Sequence, residues 1–417
     1  MEIERNHYLR QLIDCKHNGL IKIISGIRRC GKSYLMAKLY YKHLLDSGIS
    51  PDHIIYIALD DFANKQYRAP DVCYNYVKSA LKDNKMYYLL LDEVQMMADF
   101  EDVLNGFLHI KNLDVYVTGS NSKFLSSDVV TEFRGRGDEI RVYPLNFAEY
   151  YSATGGDWSD AWREYCTFGG MPLILSQKND SAKAEYLQEL FAETYIKDIE
   201  ERNRIKNNDE LEELINVIAS GIGSLTNPQK LSDTFKSVKR VDISAPTIKQ
   251  YLAYLQDSFL INKAMRYDIK GKKYINTPSK YYFTDIGLRN VRLNFRQQEE
   301  THIMENIIYN ELNIRGYSVD VGEIGILEKR AGGYAEKKVE VDFVVNQGSK
   351  KYYIQSAAYL PTAEKKAQEE RPLLKIADSF KKVIIVKDNI KPYHDDNGIV
   401  FLGLKDFLLE PDSLTQV

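Results

Sequence analysis

Residues 21–36 of the chain read IKIISGIRRCGKSYLM, an apolar run followed by a glycine-containing segment and then by an amphipathic run. Residues 22–25 are predicted to end a buried strand, and residues 33–45 to form a helix. Glycine adopts positive φ angles at little steric cost, so Gly26 and Gly31 allow the backbone between these elements to turn sharply. The stretch therefore predicts a strand, a tight loop and a helix whose first N–H groups converge on one point.

The loop matches G-x-x-x-x-G-K-[ST], the pattern of a phosphate-binding loop, through Gly26, Gly31, Lys32 and Ser33. In such a loop the backbone N–H groups hold phosphate oxygens, the lysine reaches the β- and γ-phosphates, and the hydroxyl ligates Mg²⁺. ATP and Mg²⁺ are the expected ligands. Because backbone amides bind the phosphates, the side chains of Arg28 and Arg29 are expected to face outwards. The predicted nucleotide-binding residues are Gly26, Ile27, Arg28, Arg29, Cys30, Gly31, Lys32, Ser33 and Tyr34.

A second apolar run, YYLLLDE at residues 87–93, ends in two carboxylates. Nucleotide hydrolases place acidic residues at the end of such a strand. Asp92 is predicted to hold Mg²⁺ through water, and Glu93 to orient the attacking water. The alternative is a strand that ends in two solvated carboxylates, and the phosphate-loop pattern upstream argues against that alternative.

The next strand-like run, DVYVTGSNS at residues 114–122, ends in a polar cluster. Thr118, Ser120 and Asn121 are candidates to contact the γ-phosphate or the attacking water, and Asn121 is the predicted catalytic residue among them. The cluster is equally compatible with a turn that caps the following helix, a role that Ser and Asn fill well. Both interpretations stay open.

Two arginines follow beside glycines in the segment FRGRGDEIR. An arginine near the γ-phosphate, from the same chain or a neighbouring one, stabilises the charge of the transition state. Arg136 is accordingly predicted to be catalytic, with Arg134 beside it. The alternative is a pair of solvated arginines.

The length of 417 residues, with 44% of them hydrophobic, predicts two or three domains. The net charge of −3 gives no overall attraction to nucleic acid or anionic membranes. No apolar run approaches the roughly 20 residues that span a bilayer, and the first residues lack a secretion signal. A cytoplasmic protein without a membrane partner is expected. No zinc site or redox pair is expected either, because the four cysteines, Cys15, Cys30, Cys73 and Cys166, lack CxxC spacing.

The chain beyond the first domain, which is expected to span residues 1–155, turns helical. Residues 156–208 are predicted to form a helical lid or connector, with a loop at TFGGMPLIL and one long charged helix after it. Residues 209–295 have the order of a winged helix-turn-helix. Asn227 and Pro228 open one helix, Ser244 to Pro246 open the next, and two strands flank a turn at residues 270–273.

Charge in this region is strongly asymmetric. Residues 226–292 contain 13 Lys and Arg against 5 Asp and Glu, a net charge of +8, which leaves −11 for the rest of the chain. A basic helix and wing suit DNA phosphates, although winged helices also dock proteins. DNA is the favoured partner and a protein the alternative. The predicted DNA-binding residues are Lys249, Lys270, Lys272 and Lys273.

The motifs GIRRCGKS, LLLDEVQ, VTGSNS and RGR followed by YPLNFAEYY resemble those of AAA-type ATPases of the group related to archaeal ATPases and STAND NTPases. The resemblance covers nearly all of the chain. It implies an α/β fold: a P-loop NTPase parallel sheet with helices on both faces, then the helical connector, the winged helix and a last domain at residues 296–417. Oligomers are compatible with this group.

The last domain reads as helix, strand, strand, helix, strand, and it resembles the restriction-endonuclease-like PD-(D/E)xK fold that accompanies this ATPase group. In active members, carboxylates hold Mg²⁺ and a lysine assists the attacking water. The matching positions here are Glu305, Asp342, Gln355 and Ala357. Because glutamine and alanine replace a carboxylate and the lysine, the domain is expected to be a scaffold; the alternative is a cleft that still binds a metal ion.

Three functions are compatible with these features. The first is a Mg²⁺-dependent ATPase switch whose nucleotide state changes an interaction with DNA or protein. The second is a DNA-binding regulator that binds ATP with little hydrolysis, and the third is an ATP-dependent nuclease. Glu93 favours the first over the second, since a protein that never hydrolyses ATP has no need of a water-orienting carboxylate. The absent lysine argues against the third.

Overall fold

The computed structural model describes residues 3–119, 135–205, 208–239, 242–330 and 333–416. The chain divides into two compact units. Unit 1 contains Met1–Leu145 and Asp257–Phe259, and unit 2 contains Asn146–Gln256 and Leu260–Val417. The described part of the chain contains no helix that is both long and apolar enough to cross a membrane.

Unit 1 is built on a five-stranded parallel sheet in the order β2-β3-β4-β1-β5. The strands are β1 (Ile21–Ser25), β2 (Ile54–Ala58), β3 (Tyr87–Asp92), β4 (Leu113–Thr118) and β5 (Gly137–Arg141). Its helices are Asn6–Asp14, a helix in the three consecutive segments Lys32–Tyr34, Leu35–Tyr40 and Tyr41–Asp46, then Pro70–Ala80 and Phe100–Leu108, with short helical turns at Pro51–His53, Phe62–Arg68 and Val94–Met96.

The central strands of this sheet are buried, which is usual in parallel sheets packed against helices, whereas the edge strand β5 is mostly half-buried. Every residue of β1 and β3 is buried. Two residues of β1 are polar, Lys22 and Ser25, and the ammonium of Lys22 pairs with the buried carboxylate of Asp114. The strand-loop-helix prediction for residues 21–45 and the strand prediction for residues 87–92 are therefore confirmed, and the parallel sheet with helices fits a P-loop NTPase fold.

The order of the strands decides where the site lies. Because all five strands are parallel, their carboxyl ends meet at one edge of the sheet. β4 lies between β1 and β3, so the end of β4 at Thr118 stands between the loop that follows Ser25 and the carboxylates that follow β3.

Unit 2 contains the other helices that the structure describes. They are Phe147–Thr154, Trp158–Phe168, a short turn at Pro172–Ser176, a helix in the consecutive segments Asp180–Glu189, Leu190–Ile196 and Lys197–Asn203, and then Asn208–Ser220, Pro228–Thr234 continued by Phe235–Lys239, Ala245–Asp257, Ile286–Arg292, Glu300–Ile314, Ala363–Leu374, Leu404–Leu409 and Ser413–Gln416. Two of the predicted helix starts are confirmed: the Asn227 side chain caps the helix that begins at Pro228, and the next helix begins at Ala245.

The sheet of unit 2 has eight strands in the order β12-β13-β11-β10-β9-β8-β6-β7. These are β6 (Ile261–Asp268), β7 (Lys273–Phe283), β8 (Ser318–Arg330), β9 (Gly333–Gln347), β10 (Lys350–Ala357), β11 (Lys381–Val386), β12 (Tyr393–His394) and β13 (Val400–Gly403). Two strands are predicted between the helices of the last domain, and the described residues there contain three, β8, β9 and β10.

The two strands that flank residues 270–273 do form an antiparallel hairpin, β6–β7. β6 also pairs in parallel with β8, through Arg266 and Val321 among others. The hairpin thus belongs to the same sheet as the strands of the last domain. The division into four domains stays a prediction.

Candidate functional site

The loop after β1 has the backbone conformation of a tight turn around a concave centre. Gly26 has a φ of 140°, and a Cβ there would lie 2.1 Å from the carbonyl oxygen of Val142. Gly31 has a φ of 103° and caps the following helix, and Arg29 also has a positive φ of 63°. Only glycine fits at position 26, for both conformation and space.

The ammonium of Lys32 lies inside this loop. The residue is 3% exposed, and its Nζ donates to the carbonyl oxygens of Gly26 at 3.0 Å and Ile27 at 3.1 Å. A lysine held by the loop itself concentrates positive charge where the pattern places the β- and γ-phosphates. Arg28 and Arg29 are exposed, as expected of side chains that face outwards.

The outer part of the loop is fixed by its neighbours. The Cys30 thiol is buried and donates to the carbonyl oxygen of Val142 at 3.3 Å. The guanidinium of Arg5 is also buried and donates to the carbonyl oxygens of Cys30, at 3.0 Å, and Tyr143, at 2.7 Å. Tyr34 accepts a hydrogen bond from the N–H of Ile3 through its hydroxyl. Arg5 was not predicted, since nothing in its local sequence shows that it reaches this loop.

The two predicted metal ligands meet at the carboxyl edge of the sheet. Ser33 Oγ donates to Asp92 Oδ1 at 3.0 Å, and Asp92 is 3% exposed. The hydroxyl of Thr118 donates to the same oxygen of Asp92. On the other side, Tyr56 donates to Asp92 Oδ2 at 3.4 Å. A hydroxyl and a carboxylate at one point are ligands that Mg²⁺ prefers, so the residues present fit this ion.

Burial raises the pKa of Asp92, and the nearby carboxylates of Glu93 and Asp60 raise it further. The hydrogen bonds from Thr118 and Ser33 act in the opposite direction. A cation next to this buried carboxyl group would favour its ionised form.

Glu93 stands directly after β3 in a left-handed conformation, with a φ of 54°. Its N–H donates to Thr118 Oγ1 at 2.9 Å, and the amide of Gln95 donates to its carboxylate. A non-glycine residue with positive φ is uncommon and is kept only where its surroundings hold it. Thr118 and Gln95 provide that support. Gln95 was missed because a glutamine two residues after an acidic residue carries no recognisable signal.

Arg136 lies at the opposite edge of the sheet from the phosphate loop. Its carbonyl oxygen accepts from the N–H of Ile21, at the start of β1, whereas the loop follows the end of β1. Its guanidinium donates to Asn105 at 3.2 Å. The five residues of β1 separate the two edges by about 16 Å. Within one chain the structure therefore does not bring Arg136 to the other predicted site residues. Ser120, Asn121 and Arg134 lie outside the described residues.

The predicted DNA-binding lysines are all solvent-exposed. Lys249 lies on the outer face of the helix Ala245–Asp257, whose buried face carries Ile248, Tyr251, Leu252 and Leu255, as their spacing predicted. Lys270, Lys272 and Lys273 lie in and beside the turn of the β6–β7 hairpin, where Asp268 accepts from the N–H of Gly271 at 2.8 Å. The turn thus presents three exposed ammonium groups within four residues, with Gly271 between Lys270 and Lys272.

The three residues of the nuclease-like pattern also come together. The β9–β10 ladder ends at the pair Phe343 and Ile354, and beyond it the two strands are joined by side chains. Gln355 Oε1 accepts from the N–H of Asp342 at 2.7 Å, and Asp342 Oδ2 accepts from the N–H of Ser356 at 2.8 Å. Burial and the charge of Glu305 raise the pKa of Asp342 well above its usual range.

A lysine that was not predicted lies in this cluster. The Nζ of Lys280, on β7, lies 2.8 Å from Glu305 Oε1 and 2.6 Å from Glu340 Oε1. Ala357, at the position of the pattern's lysine, is buried. Among the described residues, no group of three or more His, Cys, Asp and Glu side chains is arranged to hold a metal ion.

Comparison with known proteins agrees with the geometry of unit 1. Residues 18–151 match the model of an AAA domain, and residues 159–299 match a domain of unknown function, DUF8612. An uncharacterized protein of Haemophilus influenzae is 32% identical over 414 residues, which cover 98% of this chain and 99% of that protein. The chain belongs to the family of this protein. The AAA match identifies its amino-terminal region as an AAA-type P-loop ATPase domain.

More distant similarities include the following two proteins. The uncharacterized protein MJ1544 of Methanocaldococcus jannaschii is 28% identical over 342 residues, which cover 78% of this chain and 72% of that protein. Among solved structures, the Walker-type ATPase paby2304 of Pyrococcus abyssi aligns with a TM-score of 0.49 and 16% identity, over 70% of this chain and 96% of that one.

Proposed function

We propose that the protein is a Mg²⁺-dependent ATPase in which the nucleotide state of the AAA domain changes an interaction of the carboxyl-terminal half with DNA. The observation that carries the enzymatic part is the convergence of Ser33, Asp92, Thr118 and Glu93 at the carboxyl edge of the sheet, next to the Lys32 ammonium.

The phosphate loop supplies the binding step. Its backbone N–H groups at the start of the helix that begins with Lys32 hold the phosphates of ATP, and the ammonium neutralises charge on the β- and γ-phosphates. Bound Mg²⁺ would be held by Ser33 and Asp92, and it supplies neutralisation of the charge that develops during transfer. Because Lys32 is held within the loop by carbonyl oxygens, its ammonium needs little rearrangement to meet phosphate.

In this proposal Glu93 orients the attacking water. Its carboxylate is held by Gln95, and its backbone is fixed by the same threonine that donates to Asp92. Thr118 thus connects the metal ligand and the water-orienting residue, so both keep a fixed position relative to the phosphate loop. This arrangement favours hydrolysis over a regulator that only binds ATP.

The DNA-binding part rests on charge and exposure. Lys249, Lys270, Lys272 and Lys273 are exposed within a region of net charge +8, and cations on an exposed hairpin turn suit a phosphate backbone without reading its sequence. Docking of a protein is the alternative for the same surface. The connector, winged-helix and nuclease-like assignments, and the expectation that the last domain is a scaffold, remain part of the proposal.

If Arg136 takes part in catalysis, it acts on the site of a neighbouring chain, since it lies at the far edge of its own sheet. Mixing two inactive variants, Arg136→Ala and Lys32→Ala, tests this. If the arginine acts between chains, the mixture should regain ATP hydrolysis, because an intact Lys32 site of one variant then meets the intact Arg136 of the other. Mixtures that stay inactive at every concentration would remove Arg136 from the site.

The decisive experiment is steady-state ATP hydrolysis by the full chain with and without duplex DNA. The Glu93→Gln variant should bind ATP as the wild type does and lose turnover. Asp102→Asn, an exposed carboxylate on the helix Phe100–Leu108, is the matched control and should hydrolyse at the wild-type rate. Wild-type turnover by Glu93→Gln would show that the hydrolytic assignment is wrong. If DNA neither binds nor changes the rate of ATP hydrolysis, the basic surface would instead be assigned to the binding of a protein partner.

A further inference from the structure

The carboxylate cluster of unit 2 is built around a lysine. Lys280 is 2% exposed, and its ammonium bridges Glu305 Oε1, at 2.8 Å, and Glu340 Oε1, at 2.6 Å. The hydroxyl of Tyr282 donates to the same oxygen of Glu305 at 2.5 Å. Two strands and a helix therefore meet at one buried ammonium group.

Asp342 completes the cluster and is held in place by its own hydrogen bonds. Its carboxylate accepts from the N–H of Ser356, and its N–H donates to Gln355. Gln355 is in turn held by Glu369, to which its amide donates at 3.2 Å. Glu340 and Asp342 lie two residues apart on β9, and the Lys280 ammonium joins Glu340 to Glu305 on the helix Glu300–Ile314.

Glu305 is buried beside Lys280, whereas the side chain of Glu340 is 35% exposed and Asp342 is partly buried. Neighbouring ionised carboxylates repel one another, so a cation among them stabilises their charged forms. An ammonium group offers three N–H donors, of which two meet Glu305 and Glu340 in this structure. A divalent cation would bind through the same oxygens. Lys280 and a metal ion therefore compete for one position.

We propose that Lys280 is the resident cation of this cluster, and that the cluster consequently holds an ammonium group in place of a divalent metal ion. The other lysines near this part of the sheet have different partners. Lys338 pairs with Glu323 at 2.5 Å, and the ammonium of Lys351 lies over the rings of Tyr267, Tyr353 and Phe380. Lys280, together with Tyr282, also ties β7, and with it the basic turn at residues 270–273, to Glu305 on the helix Glu300–Ile314.

The test is binding of Mn²⁺ to the full chain without nucleotide, followed by electron paramagnetic resonance. Asp342→Asn should leave the Mn²⁺ binding of the wild type unchanged, because the cluster contributes none. Lys280→Ala should gain a Mn²⁺ site, and the double variant Lys280→Ala/Asp342→Asn should lose it again. Lys263→Ala is the control, since Lys263 is an exposed lysine on β6 that pairs with Tyr281 of β7.

Thermal unfolding gives a second measurement. Lys280→Met should unfold several degrees below the wild type, since it leaves the carboxylates without a cation. Added Mn²⁺ should raise the melting temperature of Lys280→Ala by more than that of the wild type, because only the variant has a metal site in this cluster. A Lys280→Ala protein that folds but gains no Mn²⁺ site would overturn the proposal.

The wild type alone can also overturn it, even if the lysine variants fail to fold. Wild-type Mn²⁺ binding that disappears in Asp342→Asn would show that the metal ion reaches the cluster despite Lys280. Cleavage of plasmid DNA by the wild type in Mg²⁺ or Mn²⁺, if it is lost in Asp342→Ala, would also show that a metal ion binds in the cluster. It would support the hypothesis of an active nuclease. Absence of both effects is the result expected.

Discussion

The hydroxyl of Ser33 donates to the carboxylate of Asp92 at 3.0 Å, although 59 residues separate them in the chain. Ser33 belongs to the helix that follows the phosphate loop, and Asp92 ends β3, two strands away in the sheet. The contact forms because parallel strands bring their carboxyl ends to one edge. The effect of Mg²⁺ on ATP binding can be predicted from this contact between Ser33 and Asp92.

Replacing Ser33 by alanine should weaken the Mg²⁺-dependent part of ATP affinity by about tenfold or more, because one oxygen at the metal position is lost. ATP affinity in EDTA should change little, since the backbone N–H groups of the loop remain. Calorimetric titration with ATP in Mg²⁺ and in EDTA measures both. Ser47→Ala, an exposed serine just after the same helix, is the control. Equal losses in the two buffers would contradict a metal role for Ser33.

Replacing Thr118 by valine should lower the rate of ATP hydrolysis more than it lowers ATP affinity. The side chain supports Asp92 and the N–H of Glu93, and neither contact involves the phosphate loop. A loss of roughly 10- to 100-fold in turnover is expected of a group that positions a ligand. Thr118→Ser keeps the hydroxyl and should restore most of the rate. A Thr118→Ser variant as slow as Thr118→Val would contradict the expectation that the two hydrogen bonds of the hydroxyl are enough to sustain turnover.

Most of the nucleotide site could be predicted from sequence because its parts are local. Three sequence patterns, each of ten residues or fewer, indicate it: the phosphate loop, the strand that ends in Asp92 and Glu93, and the strand that ends in Thr118. Arg5 and Tyr56 could not be found in this way, since each reaches the site through the fold, and Gln95 was missed because its position two residues after Glu93 carries no recognisable signal. The place of Arg136 was also beyond prediction, because it depends on the direction of β5 beside β1.

Replacing Lys270, Lys272 and Lys273 together by alanine should weaken DNA binding and flatten its dependence on salt. Each lost phosphate contact reduces the slope of log K against log salt by about 0.9, so three contacts give a change of about 2.7. A matched triple variant at exposed lysines elsewhere, Lys111, Lys178 and Lys391, removes the same charge and should keep the slope. Equal effects of the two triple variants would mean that only overall charge matters.

In unit 2 the sequence predicted the elements and missed how they join. The spacing of Ile248, Tyr251, Leu252 and Leu255 gave the buried face of a helix correctly. Pairing between β6 and β8 joins segments more than fifty residues apart, and no local pattern encodes it. Lys280 was missed for the same reason: SKYYF reads as an ordinary strand, and the carboxylate of Glu305 that meets the lysine lies 25 residues downstream.

Asp285 provides a stability test that is independent of any ligand. It caps the helix Ile286–Arg292 through the N–H of Leu288 at 3.0 Å, and it also accepts from the N–H of Gly170 at 2.7 Å. Gly169 lies against it so closely that a Cβ there would be 2.3 Å from the carboxylate. Burial raises the pKa of Asp285 to about 6, although these N–H groups lower it.

A carboxyl group with a raised pKa binds its proton more tightly in the folded state than in the unfolded state. Its contribution to stability is therefore most favourable at low pH, and falls as the pH rises from about 4 through about 6. Asp285→Asn keeps a helix-capping side chain without the charge. Its free energy of unfolding, relative to that of the wild type, should rise over this interval by at most about 3 kcal/mol, as two pKa units imply. Urea unfolding at pH 4.5 and pH 7.5 measures the difference, with Asp396→Asn as the exposed control. A constant difference between Asp285→Asn and the wild type at the two pH values would show that Asp285 titrates alike in both states.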